Sequence, residues 1–139
     1  MQISARNIFS GKVVELVAGA VNAEVVLELK NGIKIVSIIT KNSIENLDLK
    51  VGKEVKAIIK STSVMISNEK DLKISARNIL KGKITNINKG VVSAEINLDL
   101  GENQILTSLI TLNSAQDIDF KVGDEVCGII KSTSVMIGL

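Results

Sequence analysis

Six polar residues stand out by type, and each recurs 71 residues further on. Ser4 and Arg6 return as Ser75 and Arg77, Thr40 and Ser43 as Thr111 and Ser114, and Lys60 and Ser61 as Lys131 and Ser132. Roughly half of the aligned positions differ between the two copies, yet all six of these are the same. Arginine offers five N–H donors in a rigid planar fork, lysine three, and each hydroxyl one. A helix starting at "NS" (Asn42–Ser43, Asn113–Ser114) would add free backbone N–H groups and partial positive charge. No carboxylate belongs to the set. Such donors suit an anion whose oxygens accept everywhere and donate nowhere.

Proton count narrows the anion. Phosphate near neutral pH keeps a proton, and a pocket of donors alone would bury it unpaired at a cost of about 1–3 kcal/mol. Sulfate, molybdate and tungstate are fully deprotonated dianions there. Pocket radius, not donor type, separates sulfate from the larger molybdate. Taken singly, each residue also has an ordinary structural role: Ser and Thr at strand ends satisfy backbone groups, and Arg6 can serve an interface ion pair. The recurrence of one chemical type as a set favours binding.

The recurrence extends along the whole chain. "IIKSTSVMI" occurs at Ile58–Ile66 and again at Ile129–Ile137, and "ISARNI" at Ile3–Ile8 and Ile74–Ile79. The period exceeds the ~20–50 residues of stacked repeats, so two tandem small domains are expected: 1–67 and 74–139, joined by a polar linker at 68–73. Each half reads as short strands: "ISARNIF", then "KVVELV" after a turn at Gly11, then "AEVVLEL" and "IKIVSII" around a "KNG" hairpin signal at Lys30–Gly32. "NSIENL" (Asn42–Leu47) starts a short helix capped by Asn42 or Ser43. A final strand pair follows "VG". The expected fold is all-β: two tandem OB-like five-stranded barrels, each with a brief helix.

Composition sets bounds. The 139 residues are 45% hydrophobic but only 1% aromatic, with Phe9 and Phe120 alone, so branched aliphatics must fill the core. Small domains bury little surface, which favours oligomerisation. Histidine is absent, which removes imidazole acid–base and metal chemistry. Glu24 and Glu95 occupy matched strand positions and read as solvated residues or salt-bridge partners. Cys127 is the sole cysteine, so no intrachain disulfide forms, and with no signal-peptide pattern or apolar run near ~18 residues a cytoplasmic location is expected. Met65 and Met136, in the repeated stretch, read as core.

"SARN" near the start of each half, "T-x-x-S" in its middle and "IKSTSVM" at its end, in that order and twice, resemble the molbindin (Mop) domain of the TOBE group. Two tandem copies are similar to a di-Mop molbindin. The resemblance implies OB-like barrels and a molybdate-binding protein, with tungstate as surrogate, serving storage and homeostasis of molybdenum. It also implies oxyanion sites at contacts between domains and a homo-oligomer, a trimer of di-domain chains. It places binding on Ser4, Arg6, Thr40, Ser43, Lys60 and Ser61, with Ser75, Arg77, Thr111, Ser114, Lys131 and Ser132 as the second set. The oxyanion is held by hydrogen bonds, with no protein ligand on the metal itself and no catalytic cofactor. One site draws on more than one domain. An enzyme is not expected, nor a membrane or nucleic-acid partner. The rival readings are OB-fold nucleic-acid binding, which the scarcity of stacking aromatics disfavours, and a ligand-free oligomeric interaction module, in which Arg6 and Lys60 would enter protein–protein ion pairs. No helix-turn-helix precedes the repeats, so the chain is not expected to be the regulator that shares this domain.

Overall fold

The structure, a computed structural model, describes residues 1–139. The first half contributes β1 (Asn7–Ala18), β2 (Asn22–Leu29), β3 (Lys34–Thr40), α1 (Lys41–Asn46), β4 (Glu54–Ile59) and β5 (Met65–Ser67). The second half repeats this with β6 (Asn78–Lys89), β7 (Ser93–Asp99), β8 (Ile105–Thr111), α2 (Leu112–Ile118), β9 (Glu125–Ile130) and β10 (Met136–Gly138). Two five-stranded antiparallel sheets result, in line with OB-like barrels.

Local differences from the sequence expectations have physical causes. Gly11 is not a turn: β1 runs straight through it. The glycine is needed for close approach to β2, because a Cβ there would stand 3.1 Å from the Glu28 carbonyl oxygen. A register shift between Val13 and Glu15, repeated between Ile84 and Asn86, bends the long strand as barrel closure requires. The hairpin at Lys30–Gly32 forms, with Gly32 at φ +80°. The helix starts one residue earlier than expected and is capped by Thr40, not by Asn42 or Ser43.

The order of strands carries the main result. The first sheet runs β10-β4-β1-β2-β3 and the second β5-β9-β6-β7-β8. Each half therefore gives its last strand to the other: Met136 pairs with Ile58, and Met65 with Ile129. "KSTS" is where the chain leaves one barrel for the next. After β4 the backbone closes a 3-10 turn at Ser61–Ser63, with Ser63 N–H donating to Lys60 C=O at 2.9 Å, and the same turn recurs at Ser132–Ser134. The polar stretch that interrupts an apolar run is thus a crossover turn, not strand.

Buried polar side chains fasten the exchange. The Asn7 carboxamide donates to Thr107 C=O at 2.8 Å and accepts from Thr107 N–H at 2.7 Å, imitating a strand partner. Asn78 does the same to Val36, at 2.8 and 2.7 Å. The Ser37 hydroxyl donates to Val135 C=O at 2.7 Å and the Ser108 hydroxyl to Val64 C=O at 2.6 Å. All of these bonds tie one half to the other. Beneath them lies one continuous core of 22 buried residues drawn from both halves. It is almost wholly Val, Ile and Leu, each worth about 1.5–3 kcal/mol when fully buried.

Candidate functional site

The exchange builds two matching concavities. One, of about 230 Å³, is lined by Ile3, Ser4, Ala5, Arg6, Lys60, Ser61 and Thr62, with Met136 from the other half at its rim. Its counterpart, of about 350 Å³, is lined by Ile74, Ser75, Ala76, Arg77, Lys131, Ser132 and Thr133, with Met65 at its rim. Sequence-distant segments meet here because β1 and β4 are paired, Asn7 opposite Ile59, and β6 and β9 likewise, Asn78 opposite Ile130; each site hangs off that end of its pair. The methionines are not core, as the sequence suggested; each is 44% exposed, carried to the rim by its exchanged strand. Larger hollows elsewhere, such as the one beside Lys81, Lys83, Asp99 and Glu125, mix both signs of charge and offer no uniform donor set.

Four of the six expected residues in each half thus converge: Ser4, Arg6, Lys60 and Ser61, and Ser75, Arg77, Lys131 and Ser132. Neither concavity has a carboxylate in its lining. Lys60 and Lys131 are exposed and have no acidic partner, so their charge faces the opening uncompensated. Both arginines are in ion pairs across the halves: Arg6 with Glu95 and Arg77 with Glu24.

Thr40, Ser43, Thr111 and Ser114 line neither concavity. They start the helices. Thr40 Oγ1 accepts from Ser43 N–H at 3.1 Å and lies 2.8 Å from the Ser43 hydroxyl, and Thr111 and Ser114 match this. Thr40→Ala, or Thr111→Ala, is expected to cost about 1 kcal/mol of unfolding free energy through loss of the cap, measured by denaturant titration. The register still points across the halves. Thr40 pairs with Asn22 on β2, two residues from the Glu24 that holds Arg77, and Thr111 pairs with Ser93 on β7, two residues from the Glu95 that holds Arg6. Thr62 and Thr133 are lining residues that sequence reasoning missed, although both stand inside the repeated stretch. Glu24 and Glu95, read from sequence as solvated residues or salt-bridge partners, are salt-bridge partners, and the arginine each one holds belongs to the opposite half. No group of three or more His, Cys, Asp or Glu side chains is placed to hold a metal ion, and no helix is long and apolar enough to cross a membrane.

A pair of OB-like barrels with twin donor-lined hollows is the architecture of a known class. The TOBE domain family matches this chain twice, over residues 3–66 and 74–137, and the chain belongs to that family. Its similarities are to proteins concerned with molybdenum. Molybdenum transport protein ModE of Azotobacter vinelandii is 40% identical over 139 residues, 100% of this chain and 52% of that protein. Molybdenum-pterin-binding protein MopA of Rhodobacter capsulatus is 36% identical over 140 residues, 100% of this chain and 53% of that protein. This chain therefore spans about half the length of these relatives. The crystal structure of the cytoplasmic molybdate-binding protein ModG, with molybdate bound, superposes with a TM-score of 0.96 at 38% identity, covering 100% of this chain and 99% of that one.

Proposed function

We propose that this chain is a binding protein for the molybdate oxyanion. The observation that carries the reading is the pair of donor-only hollows, each with one arginine, one lysine and hydroxyls, on a fold that superposes along its whole length on a molybdate-bound protein. A fully deprotonated dianion satisfies these donors without stranding a proton, whereas phosphate does not. The binding set is Ser4, Arg6, Lys60 and Ser61, with Thr40 and Ser43 reached through contacts between domains, and the equivalent Ser75, Arg77, Lys131, Ser132, Thr111 and Ser114. Tungstate, of the same charge and shape, is accepted as well. The role is storage and homeostasis of molybdenum in the cytoplasm, by reversible binding rather than catalysis, with neither nucleic acid nor membrane as partner. The assembly is a homo-oligomer, a trimer of di-domain chains.

One observation favours the rival reading of a ligand-free interaction module: both arginines are already in ion pairs across the halves. The lysines are not, and the glutamates stand outside the lining of the hollows. Isothermal titration with molybdate, sulfate and phosphate, with sedimentation on the same sample, decides between them. Micromolar or tighter molybdate binding at more than one site per chain, with weak sulfate and phosphate, is expected. A well-folded protein that takes up no molybdate overturns the proposal.

A further inference from the structure

Arg6 touches two things at once. It lines the first concavity, and it reaches Glu95 on β7 of the other half, a residue that lines no part of that concavity. Arg77 repeats this with the second concavity and Glu24 on β2. The contacts are end-on. Arg6 Nη2 donates to Glu95 Oε1 at 2.5 Å and Nη1 to Oε2 at 3.3 Å; for Arg77 and Glu24 the distances are 2.9 and 3.4 Å. Only two of five guanidinium N–H groups are used. The side edge, Nε–H with the neighbouring Nη–H, stays free, and its two parallel donors match two oxygens of a tetrahedral anion.

We infer that Glu95 and Glu24 are positioning residues for the oxyanion, each holding an arginine fork from behind so that its free edge faces the ligand. This rests on the oxyanion reading above. Two effects of the carboxylate oppose each other. It repels a dianion, and it fixes a long side chain that would otherwise lose rotamer freedom on binding. Fixing wins because the carboxylate is neutralised by the guanidinium it grips. Seen from the concavity, the pair is a dipole with its positive end forward, and Lys60 or Lys131 supplies the net charge. The glutamates sit at matched positions of two sheets, only 25% and 34% exposed at the side chain against 56% and 52% for their arginines. The carboxylate is the anchored member and the arginine the one being held. Because each clamp crosses between halves, neither site is complete in one repeat alone.

The test uses the full chain carrying Arg77→Ala and Lys131→Ala, so that only the first-half site reports. In that background Glu95→Ala is expected to weaken molybdate binding about tenfold, since a charged hydrogen bond is loosened rather than lost. Glu95→Gln recovers most of it, because its carboxamide oxygen still accepts from the fork. The melting temperature stays put, as an exposed ion pair contributes little to stability. Affinity that is unchanged or tighter in Glu95→Ala overturns the clamp, as does a loss that Glu95→Gln fails to recover or that accompanies a fall in melting temperature. A parent that binds no molybdate while the unmutated chain does so overturns the clamp alone. No binding by the unmutated chain overturns the oxyanion reading along with it.

Discussion

Arg6→Ala with Lys60→Ala is expected to weaken molybdate binding at the first-half site about a hundredfold and leave the second intact. Each charge-assisted hydrogen bond to an anion contributes about 1.5–3 kcal/mol. Losing an arginine and a lysine together removes about 3–6 kcal/mol, and the open setting of both side chains argues for the lower end, roughly a hundredfold in affinity. The fold should not notice. Lys60 is exposed and unpaired, and Arg6 loses only an exposed ion pair. Calorimetry should therefore show tight sites reduced by half per chain at an unchanged melting temperature. The reciprocal pair, Arg77→Ala with Lys131→Ala, should remove the other half of the signal. A double variant that keeps full stoichiometry and affinity would show that the hollows lined by Ser4, Arg6, Lys60 and Ser61 do not hold the anion.

Much of this architecture is legible in the residues themselves. The 71-residue offset, the β-branched runs and the "KNG" turn signal point to two small barrels of short strands, because strand periodicity and hairpin chemistry are local properties. Ser4, Arg6, Lys60 and Ser61 are legible as a set because a donor-only constellation survives duplication where other positions drift. What stays hidden depends on tertiary geometry. Gly11 reads as a turn in sequence, but its purpose is to let β1 pass close to Glu28. Met65 and Met136 read as core because their strand is apolar, yet the exchange takes them to the rim of the opposite site. Asn7 and Asn78 belong to a repeated motif, and nothing local marks them as fasteners. A repeated sequence states that two units are alike. It does not state which unit each strand completes.

The strand exchange changes what a site residue is. Segments 3–6 and 60–62 belong to one repeat, the rim methionine and the arginine's carboxylate to the other. Duplication in one chain makes this exchange intramolecular, at the high effective concentration a short linker provides. Ser67 ends β5 and Asn78 starts β6, both in the second sheet, so the crossover at Lys60–Ser63 is already made and about ten residues join two strands of one barrel. Drift between the halves is then constrained on both sides of each contact, which accounts for the perfect retention of the crossover stretch "IIKSTSVMI" at both places.

Asn7→Leu should be among the most destabilising single substitutions in the chain, and it should weaken both halves at once. Asn7 is 1% exposed, and its carboxamide is the only partner supplied to Thr107 N–H and C=O from across the interface. Leucine fills similar space but leaves two buried backbone groups unpaired, each at about 1–3 kcal/mol. Against some gain from the added apolar surface, a net loss of about 3 kcal/mol is expected, a large share of the ~5–15 kcal/mol that holds a typical domain. Asn78→Leu should match it, since Asn78 makes the same two bonds to Val36. The continuous 22-residue core adds a stronger requirement. With strands exchanged, neither half can unfold while the other keeps its sheet, so unfolding followed by far-ultraviolet circular dichroism should be one transition in the parent and in both variants. Two separated transitions, or a loss below about 1 kcal/mol in Asn7→Leu, would mean that the halves stand independently. The clamp from Glu95 to Arg6 would then join two bodies free to part, and could not hold the fork still.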